Sequence, residues 1–262
     1  MPATLRPIRP SAAIRVAYER RLLVLVDEMH KSTLRWVKAA WRANEPEPIT
    51  VITGLDASPA AALQATFRKL GKRWLKRFDD LAQSMAESMV KQVNGRTQRI
   101  LMEDLRRAGF TVKFQTTPAM REAMQSIVAE NVNLIRSIPE RYLTQAETLA
   151  MQSVSQGRDL ATLTQGIEKQ FGVSRRKAAD IALDQNNKAT SSLRSIREQE
   201  LGITEGIWRH SGGGKTPRAS HKHFSGQKFK LAEGHDFDDG FGKVLPGQAI
   251  NCRCYWTAVL PF

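Results

Sequence analysis

"SSLRSIREQELGITEGIWRHSGGGK", residues 191–215, is where the character of this chain changes. Up to Glu200 the stretch continues a polar helical run that has no glycine or proline after Gly172. At Gly202 it meets a natural helix-closing residue, because glycine enters the left-handed region without a Cβ clash. Beyond that point helical periodicity disappears and glycines cluster, at 212–214 and at Gly226, Gly234, Gly240, Gly242 and Gly247. Short strands are expected within "GIWRHS" (206–211), "QKFKL" (227–231) and "CRCYWTAVL" (252–260). The expected fold class is therefore α+β: a predominantly helical N-terminal body with a small loop-rich, β-containing C-terminal module. The corresponding divisions are 1–57, a basic helix and linker; 58–201, a helical body; and 202–262, the module.

Upstream, apolar residues recur in steps of three or four. Ile14, Tyr18, Leu22, Leu25 and Met29 predict one helix to about Ala43, with Ser11 as its N-cap. The proline-rich stretch 44–59 reads as a connection, with a short strand at 49–52. Ser58-Pro59 reads as a cap followed by proline at the first helical position, opening a helix to about Ala108. Its stripe of Phe67, Leu70, Trp74, Phe78, Leu81, Met85 and Met89 predicts a buried seam, and Asn94-Gly95 a kink or an end. Arg68, Lys69, Lys72, Arg73, Lys76 and Arg77 flank that seam with no acid among them. They form either a solvated basic face or one that meets phosphates or an acidic partner. Phe110, Val112 and Phe114 alternate with polar residues and predict a strand. Further helices are expected over 118–138, 139–157, 158–172 and, capped by Ser174, 175–202. The last of these is polar over much of its surface.

Charge gives the first functional hint. Forty Lys and Arg against 26 Asp and Glu leave a net +14, a field that attracts phosphate backbones or acidic protein surfaces. No run of about 18 apolar residues is present, so no membrane partner is expected. The N-terminus shows no leader-like series of charged, apolar and small residues, and two cysteines make no disulfide framework. A product assembled in a reducing cytoplasm is expected.

Four of the five histidines and both cysteines lie after Gly202. His210, His221, His223, His235, Cys252 and Cys254 are competent zinc ligands. On a strand, Cys252 and Cys254 would face one side, as would His221 and His223. Paired zinc cysteines usually stand farther apart in sequence, so two small buried thiols packing a tight turn is the preferred reading, with zinc on His221, Cys252 and Cys254 the lesser alternative. A Cys252–Cys254 disulfide would close a strained ring. A Cys–His nucleophile pair has no fixed partner, and His221, His223 and Asn251 lack the carboxylates of a metal nuclease. "DFDDG" (236–240) lacks the ligand spacing of a calcium loop and reads as a solvated acidic turn, and "SGGGK" (211–215) lacks P-loop spacing and reads as a turn.

The ordered set "W…TPRASHKHFSGQKF…LPGQAINCRC" resembles the C-terminal motif of the phage Mu F-like family of minor head (head morphogenesis) proteins. Its elements stand here at Gly202, Ile203 and Trp208, then Arg218 and His221, Gly226, Phe229, Pro246 and Gly247, and finally Asn251, Cys252, Arg253 and Cys254. The resemblance extends more weakly upstream over 175–202. Relatives often carry a Thr-Glu pair where this chain has Asp184-Gln185, and no role is carried over to that point. The resemblance implies a non-enzymatic, low-copy virion protein inside the head or near the portal, met in the host cytoplasm during assembly. It implies portal protein and major capsid or scaffolding protein as partners, and the charge adds double-stranded DNA as a candidate. No cofactor is implied. Two other readings stay open: a zinc-dependent DNA-processing enzyme or nuclease, and a basic DNA-binding module without a capsid role. Within the module, Trp208, Phe229 and Trp256 are expected core anchors and Gly226 and Gly247 turn residues. Arg218 and Arg253 are expected either to bridge loops or to meet a partner.

Overall fold

The computed structural model describes residues 3–44, 59–157, 159–213 and 216–261. The strand expected at 49–52 and the Ser58 cap fall outside them, and "SGGGK" does so in part. The body is four long helices: α1 (Ala12–Ala43), α2 (Pro59–Arg107), α3 (Pro118–Ser155) and α4 (Leu160–Glu200). After these come β1 (Glu205–Arg209), the short α5 (Ala219–His223), β2 (Lys228–Lys230), β3 (His235–Asp236), β4 (Lys243–Val244) and β5 (Tyr255–Val259). This is the expected α+β arrangement. Among the described residues no helix is long and apolar enough to cross a membrane.

The helical stripes are buried as their spacing requires. Ile14, Tyr18, Leu22, Leu25 and Met29 on α1 are all buried, as are Phe67, Leu70, Trp74, Phe78, Met85 and Met89 on α2, while Leu81 is half-buried. Ser11 Oγ accepts the Ile14 N–H at 3.4 Å, the expected cap.

Three expected helix breaks do not occur. Asn94-Gly95 lies inside α2, Pro139 inside α3, and Gly172 and Ser174 inside α4. Glycine costs a helix about 1 kcal/mol and proline about 3 kcal/mol, amounts that burial of the neighbouring turns offsets. Ile135, Ile138 and Tyr142 are buried around Pro139, and Ile167, Ala178 and Ile181 around Gly172. The strand expected at 110–114 is also absent; this segment is a loop. Among the described residues no strand pairs with it. Arg197 instead holds it, donating to the Gln115 carbonyl at 2.5 Å and lying 5.0 Å over the Phe114 ring.

The chain divides into two compact units, each drawn from separate segments. The unit of residues 19–85 and 131–179 joins parts of all four long helices. Arg175 pairs with Asp27 and Arg136 with Asp79. At its centre the buried His30 stacks on Phe171, with ring centroids 3.9 Å apart. His30 Nδ1 lies 2.9 Å from Tyr142 Oη and Nε2 lies 3.2 Å from the Glu168 carboxylate.

Burial lowers the His30 pKa below 6.5, outweighing Glu168 and Asp27, which raise it; Lys38 adds to the lowering. The folded unit therefore binds this proton less readily than the unfolded chain. The stabilisation is complete above 6.5 and is lost as pH falls below it towards the folded value. The slope reaches at most about 1.4 kcal/mol per pH unit. Thermal melting between about pH 7 and about pH 5 should show this loss, and His30→Phe should flatten it while lowering neutral stability. Identical slopes in the two proteins would assign the pH dependence elsewhere.

The second unit holds residues 1–18, 86–130 and 180–262. Its sheet has strand order β2-β1-β5, antiparallel, with Trp208 opposite Trp256 and Gly206 opposite Phe229. The N-terminal arm covers the outer edge of β5: Leu5 donates to Ala258 at 3.1 Å and Leu260 to Ala3 at 2.9 Å. An edge strand is thereby capped by the chain's own beginning. Leu5 and Ile8 of the arm, Leu101 and Leu105 of α2, and Trp208, Phe229 and Trp256 share one core.

The end of α4 is the post around which this unit is built. Its polar residues Gln185, Asn186, Asn187, Thr190, Ser191, Arg194, Ser195, Arg197 and Glu198 are all buried. Several of them satisfy carbonyls of segments that pack against the helix. Asn187 Nδ2 donates to Cys252 O at 2.8 Å, Ser195 Oγ to Leu231 O at 3.2 Å, and Ser191 Oγ to Pro246 O. Gly202, at φ +75°, then ends the helix as expected.

Candidate functional site: a cysteine–histidine cluster in the C-terminal module

The site forms where the segment leading into β5 passes over α5. Asn251 sits in the left-handed region at φ 60°, and its N–H donates to Asp184 Oδ1 at 2.6 Å. From that turn the chain runs extended, so Cys252 and Cys254 point inward while Arg253 points outward. Pro246 and Gly247 make the turn behind them. Gly247 has φ +91°, and a Cβ there would lie 2.7 Å from Ser191 Oγ. Its N–H instead faces Cys252 Sγ at 3.4 Å. Gly226, at φ +95°, turns the chain between α5 and β2 and donates to Trp208 O at 2.8 Å.

His221 lies on α5, not on a strand as the spacing suggested. It is buried, whereas His223, two residues on along the helix, is exposed and turned away. His221 Nδ1 approaches Cys252 Sγ at 3.4 Å and Cys254 Sγ at 3.8 Å. All three ligand-type atoms lie within 4.8 Å of one another. On the far side of the ring, His221 Nε2 faces Asp239 Oδ2 at 3.6 Å. "DFDDG" is therefore not simply a solvated turn. Asp236 and Asp238 are exposed, but Asp239 turns inward, drawn by His221 and by Arg218 Nε, also 3.6 Å away.

Arg218 is a loop bridge: it donates to Ile250 O at 3.0 Å and lies 4.9 Å over the Phe241 ring. Arg253 is exposed at the mouth of a cleft of about 380 Å³ that is also lined by His210, His221, Cys252 and Cys254. His210 is half-buried and its Nδ1 accepts from Gly212 N–H, while His235 stacks on Phe224 at 3.7 Å, away from the thiols. Trp208 is fully buried, edge-on to His221 at 5.3 Å and to Phe229 at 5.6 Å.

The two thiols do not ionise alike. The hydrogen bond from Cys254 favours the Cys252 thiolate, as do His221 and the Gly247 N–H; together they outweigh burial and bring Cys252 down to about 4. Cys254 is pushed up, first because it donates that hydrogen bond and then by burial. The pair gives up one proton readily and resists losing both.

Residues 144–257 match the family described as Phage Mu protein F like protein. The resemblance carried by the C-terminal motif is borne out over that span. The match begins well upstream of the motif, within α3, and includes all of α4, β1, α5, β2, β3 and β4. A protein of Haemophilus influenzae (strain ATCC 51907 / DSM 11121 / KW20 / Rd), described as uncharacterized, is 31% identical over 149 residues. That alignment takes in 56% of this chain but only 31% of the relative, so the chain spans about a third of its length. No solved structure matches the chain.

The sequence offers His221, Cys252 and Cys254 as the candidate metal set, and the three do meet; it does not point to Asp239. No spacing rule links positions 221, 239 and 252; α5 and the loop after β3 bring them together. The six basic residues of α2, Arg68, Lys69, Lys72, Arg73, Lys76 and Arg77, are all exposed beside buried Leu70, Trp74 and Phe78. Lys76 pairs with Asp80 at 2.9 Å and Arg73 lies 5.6 Å over the Trp74 ring.

Proposed function

We propose that this chain is a non-enzymatic minor head protein that acts in phage head assembly and DNA-packaging competence. Residues 202–262 form its head-morphogenesis module. Its partners are portal protein and major capsid or scaffolding protein, and it resides inside the head or close to the portal. The observation that carries this reading is the Mu F-like match over residues 144–257, which covers the post helix α4 and the cluster built against it.

Charge supports the same reading. A net +14 suits a protein that works beside packaged DNA or an acidic partner surface. The exposed face of α2 offers two i, i+4 rows, Arg68–Lys72–Lys76 and Lys69–Arg73–Arg77, spaced to follow a row of phosphates.

The test is mass spectrometry of purified particles together with affinity capture from cells assembling heads. The chain should be found in mature or precursor heads and should co-purify with portal protein. Its absence from both particles and portal complexes would overturn the proposal.

A further inference from the structure

We infer that His221 Nδ1, Cys252 Sγ and Cys254 Sγ form a binding site for a zinc-class transition-metal ion, with Asp239 orienting the imidazole and the fourth position open to the cleft beside His210, Arg218 and Arg253.

The spacing of the ligand atoms carries this. With metal–sulfur bonds of about 2.3 Å and metal–nitrogen bonds of about 2.0–2.1 Å, tetrahedral angles place sulfur and nitrogen about 3.5 Å apart. The observed separations from Nδ1 are 3.4 and 3.8 Å. The in-plane lone pair of Nδ1 can accept one thiol hydrogen, yet two sulfurs approach it. The point between them is where a cation sits.

The other face of the ring fits the same assignment. A metal on Nδ1 fixes the ring proton on Nε2, which points at Asp239 Oδ2. Both atoms are buried and neither has a hydrogen-bond partner. At 3.6 Å they stand one small adjustment from a carboxylate–histidine contact, the arrangement that commonly orients a metal-bound histidine. Soft thiolates with imidazole select zinc over the oxygen-seeking divalent ions.

Charge balances without further groups. Both sulfurs bind as thiolates, any proton still held by the pair going to solvent, and two thiolates offset a dication beside a neutral imidazole. The ion would tie α5 to the entry of β5, joining positions 31 residues apart in the chain. The site does not depend on whether the chain enters a virion.

The test uses the full chain, purified reduced and anaerobically, with zinc or cobalt(II) as probe. One zinc per chain is expected, and cobalt should give the thiolate charge-transfer and intense visible bands of a tetrahedral site. Cys254→Ser should lose the ion. Asp239→Asn should keep the stoichiometry but weaken binding about 10- to 100-fold in chelator competition. His223→Asn should bind as the parent does, which separates this site from adventitious surface binding. Failure of the reduced chain to take up either metal would overturn the assignment, as would uptake undiminished in Cys254→Ser. The cobalt spectrum of the unaltered chain decides the matter even if a cysteine variant does not fold.

Discussion

Arg194→Ala is expected to destabilise the unit around the C-terminal module by about 3–5 kcal/mol, the cost of leaving a buried charge without its partner. Arg194 and Glu198 are almost fully buried and pair at 2.7 Å across one turn of α4. Burial alone pushes the Glu198 carboxyl up and the Arg194 guanidinium down, and each partner opposes the shift in the other. Arg194 also donates to Trp256 O at 2.9 Å and to Ile8 O at 3.4 Å, and lies 4.1 Å over the Trp256 ring. Glu198 in turn accepts the Trp256 indole N–H at 2.7 Å. One ion pair therefore clamps α4, β5 and the N-terminal arm.

Truncating the arginine leaves the buried Glu198 carboxylate without its counter-charge, held by the Trp256 indole N–H alone, and takes a donor from two carbonyls. The double variant Arg194→Met with Glu198→Leu removes both charges and should recover part of the loss. Denaturant unfolding of the single and double variants measures this, and hydrogen exchange at Leu5 and Leu260 reports release of the arm. A single variant that costs less than about 1 kcal/mol would show that the clamp is not holding the unit together.

Trp208→Ala is expected to cost a similar amount, about 3–5 kcal/mol, by opening a cavity in the same core. Trp208 is fully buried and contacts four rings edge-on, those of His221, Phe224, Phe229 and Phe237, at centroid distances of 5.0–5.8 Å. Edge-to-face pairs add about 0.5–1.5 kcal/mol to burial of the ring area. The loss should also appear at the thiols, because Trp208 supports the ring of His221. Cys252 and Cys254 should react faster with a thiol reagent in Trp208→Ala, and Trp208→Phe should restore much of both properties. Unchanged thiol reactivity alongside lowered stability would place the support of His221 elsewhere.

The two variants differ in how far the sequence foretells them. Trp208 follows a helix-closing glycine, in a strand-like stretch, and so is an evident anchor. Arg194 lies in "SSLRSIREQE", which is polar in every local reading. Nothing near it in sequence says that Trp256, Ile8 and Glu198 will surround it. The same holds for Ser191, Ser195 and Asn187, whose partners are carbonyls between 36 and 65 residues away.

What the sequence determines by itself is what depends on local period and local chemistry. The apolar stripes of α1 and α2 specify helices and their buried faces, because burial of one face repeats every three to four residues. The loss of that period at Gly202 specifies a different module. The pairing of Cys252 with Cys254 on one face follows from the twofold alternation of an extended chain. Tertiary structure decides what depends on competition or on distance. Pro139, Gly95 and Gly172 fail to break their helices because packing of the flanking turns outweighs penalties of about 1–3 kcal/mol. Phe110, Val112 and Phe114 form no strand because a ladder needs a neighbour, and Arg197 takes its place. The candidate metal site is of the same kind: its cysteines stand two positions apart in sequence, but His221 and Asp239 reach them only because α5 and the loop after β3 fold against the end of α4.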